Sequence, residues 1–296
     1  GPDVSHRVIR EALGELLRGN INVTNRPGGV AGSLGMSYVH RRPADGYTLV
    51  GLSESVVTAA VQGGWDQRMA VWYPFIVGGS PDLISVTAAA PYETLEQLME
   101  AAEAEPGTIR AAASGAGSIH HLNLLALMEG TGAEFNFIPY PGSAPAQNAA
   151  MTGEVAVVVT SLAEQQQLIR GGRLKPLAML VPEPFTLEGV GAIPSAFAVY
   201  PELDRYLPIS QAIGFAVHND APDEVKQTLS DAFAKAVVSD AVQRWAADNY
   251  YVISGKSGAE AAAEFARLES LFTWTLHELG AAERDPAELG IPKLAD

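Results

Sequence analysis

Residues 109–161 read IRAAASGAGSIHHLNLLALMEGTGAEFNFIPYPGSAPAQNAAMTGEVAVVVTS. Three apolar runs stand out: Ile109–Ala113, Phe135–Ile138 and the valine-rich Val155–Val159. Each has strand length, and the last is apolar enough to be buried on both faces. Between the first two, Ile119, Leu122, Leu125 and Met128 recur at helical spacing. Between the second and third, Pro141-Gly142-Ser143-Ala144-Pro145 turns into another helix, with Ser143 as the expected N-cap. Strands that alternate with helices predict a parallel sheet and an α/β fold.

Upstream, apolar positions from Val4 to Leu17 predict a helix over about residues 3–18. Ile21-Asn22-Val23 reads as a short strand, ended by Asn25-Arg26-Pro27-Gly28-Gly29. Gly32 to Arg41 reads as a helix, Asp45-Gly46 as a turn and Tyr47 to Leu52 as a buried strand. A helix from Leu95 to Glu105 stops at Pro106-Gly107. Residues 182–211 break the rhythm with their prolines and suggest an irregular segment crossing between domains. A strand from Gly214 to His218 follows, then helices over about 223–238, 240–248 and 258–279 and an irregular tail.

The 296 residues are 47% hydrophobic and 18% charged, a globular composition that is too apolar for a disordered chain. Cysteine is absent, which excludes a disulfide scaffold, a thiolate metal site and a cysteine nucleophile. The net charge of −15 argues against a nucleic-acid partner and against adsorption to anionic lipid, and favours a monomeric or weakly associating surface. No run reaches the roughly 18 apolar residues of a membrane span.

Catalytic motifs are missing. No GxxxxGK[ST], HExxH, GxSxG or EF-hand loop occurs, and SGAGSIHH lacks the third glycine of a dinucleotide fingerprint. No cofactor is expected. His120 and His121 are neighbours, but adjacent helical residues point about 100° apart, so no metal site is expected from them. One is expected to be exposed and the other partly buried and hydrogen-bonded.

Two loops, 113-ASGAGSIHHL-122 and 139-PYPGSAPA-146, share a design in which a strand ends in small residues and a helix begins. Each is either an ordinary turn or half of an anion site made from backbone N–H groups at a positive helix end. In open α/β sheets ligands lie beyond the carboxyl ends of the strands, where both loops fall. Ser53, after the strand ending at Leu52, and Thr160-Ser161, after Val159, offer hydroxyls that serve a ligand or cap a helix.

The runs 22-NVTNRPGGVAGSLG-35, 45-DGYTLVG-51, 113-ASGAGSIHHL-122 and 139-PYPGSAPA-146, with the tail 285-DPAELGIP-292, resemble the extracytoplasmic solute-binding proteins of tripartite tricarboxylate transporters, the Bug family. The resemblance implies a type II periplasmic-binding-protein fold: two α/β lobes joined by two crossing segments, with a ligand cleft between. Lobe one would be 1–88 plus 213–296, and lobe two 89–212. The implied function is periplasmic capture of a small organic carboxylate and its delivery to membrane partners, without catalysis. Ser114, Gly115, Ala116, Gly117, Ser118, Gly142, Ser143 and Ala144 correspond to a carboxylate clamp, served by N–H groups at 116–118 and 142–144. Ser53 and Ser161 match cleft-lining positions, and His121 matches the family's histidine before leucine. Pro141 stands where the family usually has lysine. The family also carries a strand and a Gly-rich loop before the aspartate matched by Asp3, which implies roughly twenty residues upstream of Gly1, after a secretion signal. A ligand-sensing domain or an anion-binding enzyme on the same two-lobed fold is the alternative.

Overall fold

The computed structural model describes residues 2–26 and 29–294. Along the chain run α1 (Pro2–Leu17), α2 (Ser33–His40), β1 (Val50–Leu52), β2 (Trp72–Gly79), β3 (Asp82–Thr87), α3 (Leu95–Ala104), β4 (Arg110–Ala113), α4 (Ile119–Thr131) and β5 (Asn136–Pro139). Then come α5 (Ser143–Thr152), β6 (Val157–Ser161), α6 (Leu162–Arg170), β7 (Leu174–Met179), β8 (Phe185–Leu187), β9 (Gly191–Ile193), β10 (Ile213–His218), α7 (Asp223–Val237), α8 (Asp240–Asp248), β11 (Val252–Ser257) and α9 (Gly258–Glu278).

These elements fall into two units, 1–79 with 211–296, and 80–210. The first break precedes the expected 88/89 boundary because β3 is hydrogen-bonded to β6 and β7, whereas β2 pairs with β10 and β11. Most of 182–211 lies inside the second unit, where β8 and β9 form a hairpin, rather than crossing between units.

The sheet of the second unit has the order β5-β4-β6-β3-β7. β4 is parallel to β5 and to β6, as the alternation predicts. β3 is antiparallel to both neighbours, so the sheet is mixed. Leu83, Ile84, Ala111, Ala112 and Val157 to Val159 are buried in it, together with Leu98 and Met99 of α3 and Leu124 and Leu127 of α4. Each of the leucine, isoleucine, valine and methionine side chains among them contributes about 1.5–3 kcal/mol of transfer free energy.

The sheet of the first unit, β1-β10-β2-β11, is antiparallel throughout, which the strand–helix rhythm does not predict. Its core joins Ile9 and Leu13 of α1 to Phe75 and Val77 of β2, Phe215 of β10 and Phe233 of α7. The Phe75 and Phe215 rings stack at 4.8 Å, and Phe233 meets both edge-on. The buried strand expected over 47–52 shrinks to Val50–Leu52, and Tyr47 is 93% exposed. No strand forms at 21–23, since no described strand pairs with it; Pro27 and Gly28 of the following turn lie outside the described residues. The irregular tail is docked. Arg68 bonds both Glu269 and the Gly290 carbonyl, Trp274 Nε1 donates to Ile291 O at 3.2 Å, and Ser270 Oγ donates to Pro292 O at 2.6 Å.

Candidate ligand-binding site

Because β5, β4 and β6 are parallel neighbours, their carboxyl ends share one edge of the sheet, and each leads into a helix. That edge brings Ser114–Ser118, Gly142–Ala144 and Ser161 together in the second unit. The two loops adjoin: a Cβ on Gly115 would lie 3.9 Å from the Tyr140 carbonyl oxygen. Ser53 belongs to the first unit, where it follows β1 and its Oγ lies 2.8 Å from that of Ser55.

The loop into α4 is built on Gly117, whose φ of +75° an L side chain rarely adopts. Its N–H donates to His121 Nδ1 at 3.0 Å. The Ser118 N–H donates to Gly115 O at 3.1 Å, and the Ser118 hydroxyl caps α4 by accepting from His121 N at 3.3 Å. Two of the three donors expected at 116–118 are therefore engaged within the loop. Among the described residues the backbone N–H groups of Ser114, Gly115, Ala116 and Ile119 have no partner, and neither has the Ser114 hydroxyl.

His121 is buried, and its ring stacks on Phe137 at 3.9 Å. Burial pulls its pKa down to about 4, so at neutral pH it is uncharged. Since Nδ1 accepts from Gly117, Nε2 carries the proton and is a neutral donor. Both histidines are buried, against the expectation that one is exposed.

The loop into α5 differs in its cap. Gly142, at φ +121°, occupies the N-cap position expected for Ser143, and Ser143 starts the helix. The Gly142 N–H donates to Tyr140 O at 2.8 Å, and Ala146 is the first residue to bond back, to Gly142 O at 3.4 Å. Ser143 and Ala144 supply first-turn N–H groups of the kind a helix leaves unpaired, and Pro145 has none. The Ser143 hydroxyl likewise has no partner among the described residues.

At α6 the arrangement is closed. Glu164 Oε2 accepts from Ser161 N at 3.2 Å and from Ser161 Oγ at 3.0 Å. Leu162 N donates to Pro81 O at 2.8 Å, and Ala163 N donates to Ser80 Oγ at 2.9 Å. The sequence 161-SLAE-164 is a capping box, a signal legible in the chain. Ser161 is thus committed to its helix.

Beside it lies a buried polar cluster that the sequence does not announce. His120 Nδ1 lies 2.9 and 2.8 Å from the two oxygens of buried Asp82. Asn123 Nδ2 donates to Asp82 Oδ2 at 2.8 Å and to Ile209 O at 3.0 Å. His120 Nε2 lies 3.5 Å from Glu164. Asp82 and His120 are 38 residues apart, a pairing that only β3 alongside β6 creates. Among the described residues no group of three or more His, Asp or Glu could hold a metal.

Residues 5–263 match the family described as tripartite tricarboxylate transporter family receptor. BugT of Bordetella pertussis is 32% identical over 186 residues, which cover 60% of this chain and 56% of BugT. The chain spans about half the length of the first curated relatives it matches. A TctC solute-binding protein from Polaromonas, solved without ligand, is 27% identical with a TM-score of 0.79, over 93% of each chain. Two Rhodopseudomonas palustris proteins, one solved with adipate and one with malate, are 22% and 19% identical, with TM-scores of 0.68 and 0.66. The matches cover 99% and 92% of this chain and 94% of each of theirs, so they share the fold. With the two-lobed α/β architecture of these periplasmic binding proteins and a match that runs from the first helix into the last, the chain belongs to the tripartite tricarboxylate transporter receptor family.

Proposed function

We propose that the protein is a periplasmic receptor that captures a small organic carboxylate and delivers it to the membrane components of a tripartite transporter. It acts as a monomer and does no chemistry on its ligand. One observation carries the binding side of this reading: α4 and α5, on adjacent parallel strands, both begin with donors the protein leaves unused. The ligand carboxylate takes the N–H groups of Ala116, Ile119, Ser143 and Ala144, with the Ser114 and Ser143 hydroxyls and His121 Nε2 beside them. Gly115, Gly117, Ser118 and Gly142 shape the loops. Fixed dipoles act at contact, whereas the chain's acidic surface is screened within about 8 Å at physiological salt. That R. palustris relatives hold adipate and malate supports a dicarboxylate as the ligand class.

The test is a thermal-shift panel of mono-, di- and tricarboxylates, followed by calorimetry on the best. A ligand held at 100 times its Kd stabilises the folded state by about 2.7 kcal/mol. No shift with any carboxylate would remove the reading, and turnover of the bound acid would replace it with the enzymatic alternative.

A further inference from the structure

The first unit holds a basic hollow. Asn25, Arg26, Leu34, Tyr38, Arg41 and Arg42 line a volume of about 650 Å³. The Arg26 guanidinium lies 3.7 Å from the centre of the Tyr38 ring and that of Arg42 lies 4.4 Å from it. Arg42 Nη2 also donates to the Tyr38 hydroxyl at 2.6 Å. Leu34 and Tyr38 are four residues apart on α2, so they share a face, and Arg41 and Arg42 extend it past the helix end.

Several of the chain's cations meet carboxylates, as Arg10 with Glu11, Arg68 with Glu269, Lys226 with Asp223, Arg284 with Asp66 and Lys293 with Glu278, and others, such as Arg18, Arg205 and Lys235, stand singly without one among the described residues; the hollow differs in gathering three such guanidiniums in one place. None of Arg26, Arg41 and Arg42 has a carboxylate within ion-pair distance among the described residues, although the chain carries 34 acidic side chains against 19 basic ones. The negative end of α2 accounts for cations at 41 and 42. It does not account for Arg26, which arrives from a separate segment and places a second like charge on the same ring. That concentration is unfavourable alone and is relieved by an outside anion. Leu34 is 54% exposed and Val30 43%, so apolar surface adjoins the guanidiniums. Arginine and tyrosine beside exposed aliphatic groups is the composition of a protein-interface hot spot.

We propose that this hollow docks an acidic segment of the transporter's membrane components. The segment carries at least two carboxylates for Arg26, Arg41 and Arg42, next to an apolar side chain seated on Leu34. Much of this acidic protein repels such a segment, so the hollow fixes the face that the receptor presents. The inference rests on the transport reading above.

The experiment uses the double variant Arg26→Glu/Arg42→Glu of the full chain, with its melting temperature and its carboxylate affinity by calorimetry as controls. Binding to detergent-solubilised membrane components is measured by biolayer interferometry across a salt series. The wild type is expected to bind with an affinity that falls as salt rises, and the variant at least tenfold more weakly with carboxylate affinity unchanged. Equal binding by the two forms, or no binding by the wild type, overturns the docking site. Binding of inorganic pyrophosphate or of anionic phosphatidylglycerol vesicles that the variant loses, while its binding to the membrane components is intact, assigns the hollow to another occupant and also overturns it. Loss of carboxylate affinity in the wild type itself would instead strike the transport reading.

Discussion

Two kinds of helix start stand side by side on one sheet edge. At α6 the protein answers its own donors: Leu162 N meets Pro81 O, Ala163 N meets Ser80 Oγ, and Glu164 closes back on Ser161. At α4 Ser118 Oγ answers His121 N but Ile119 N has no partner among the described residues, at α5 Ser143 N and Ala144 N have none, and neither first turn contains an acidic residue. A first turn with its own carboxylate repels a second anion, whereas one without it invites an anion through the same dipole and N–H groups. Equivalent positions in the topology thus become a structural cap in one case and a candidate receptor surface in the other, by the choice of a few side chains.

The largest expected effect lies on the closed side. Asp82→Ala would leave His120 and Asn123 buried without their shared acceptor. Breaking a buried charged network of this kind costs about 3–5 kcal/mol, read as a lower urea midpoint. A loss under about 1 kcal/mol would mean that the cluster is not the anchor of that end of the sheet.

On the open side, Gly117→Val forces a β-branched residue to φ +75°. The strain is of order 1–3 kcal/mol and displaces the loop that His121 holds. Carboxylate affinity should fall at least tenfold by calorimetry, with a smaller change in melting temperature than in Asp82→Ala. Unchanged affinity would remove this loop from the site.

Acid should loosen the same loop. The His121 pKa is lowered from 6.5 to about 4 by burial, so the unfolded chain takes up a proton first as pH falls. The contribution to stability is therefore full above pH 6.5 and is lost progressively between 6.5 and 4, to a ceiling of roughly 3 kcal/mol. His121→Phe keeps the stacking on Phe137 and should flatten this part of the pH–stability curve. An identical curve would show that another group governs it.

The smallest effects sharpen the contrast. Ser161→Ala removes half of a capping box and should cost about 0.5–2 kcal/mol of stability with little change in affinity. Ser143→Ala removes a hydroxyl with no protein partner and should do the reverse, costing about 0.5–1.5 kcal/mol of binding, or two- to twelvefold. If Ser161→Ala weakens the ligand more than Ser143→Ala does, the open and closed assignments are exchanged.

The sequence by itself determined the elements whose signals are local. The helix α4 follows from Ile119, Leu122, Leu125 and Met128, and β6 from its valines, because a period of 3.6 or a buried β-branched run needs no knowledge of partners. The capping box at 161–164 is equally local. Tertiary structure alone decided which loop donors remain unused. The N–H groups of Leu162 and Ala163 are consumed by atoms of 80–81, brought near by β3 pairing with β6. The antiparallel sheet of the first unit and the Asp82–His120–Asn123 cluster were hidden for the same reason. Hydrogen bonds between residues tens or hundreds of positions apart depend on where the folded backbone places them, and no local period encodes that.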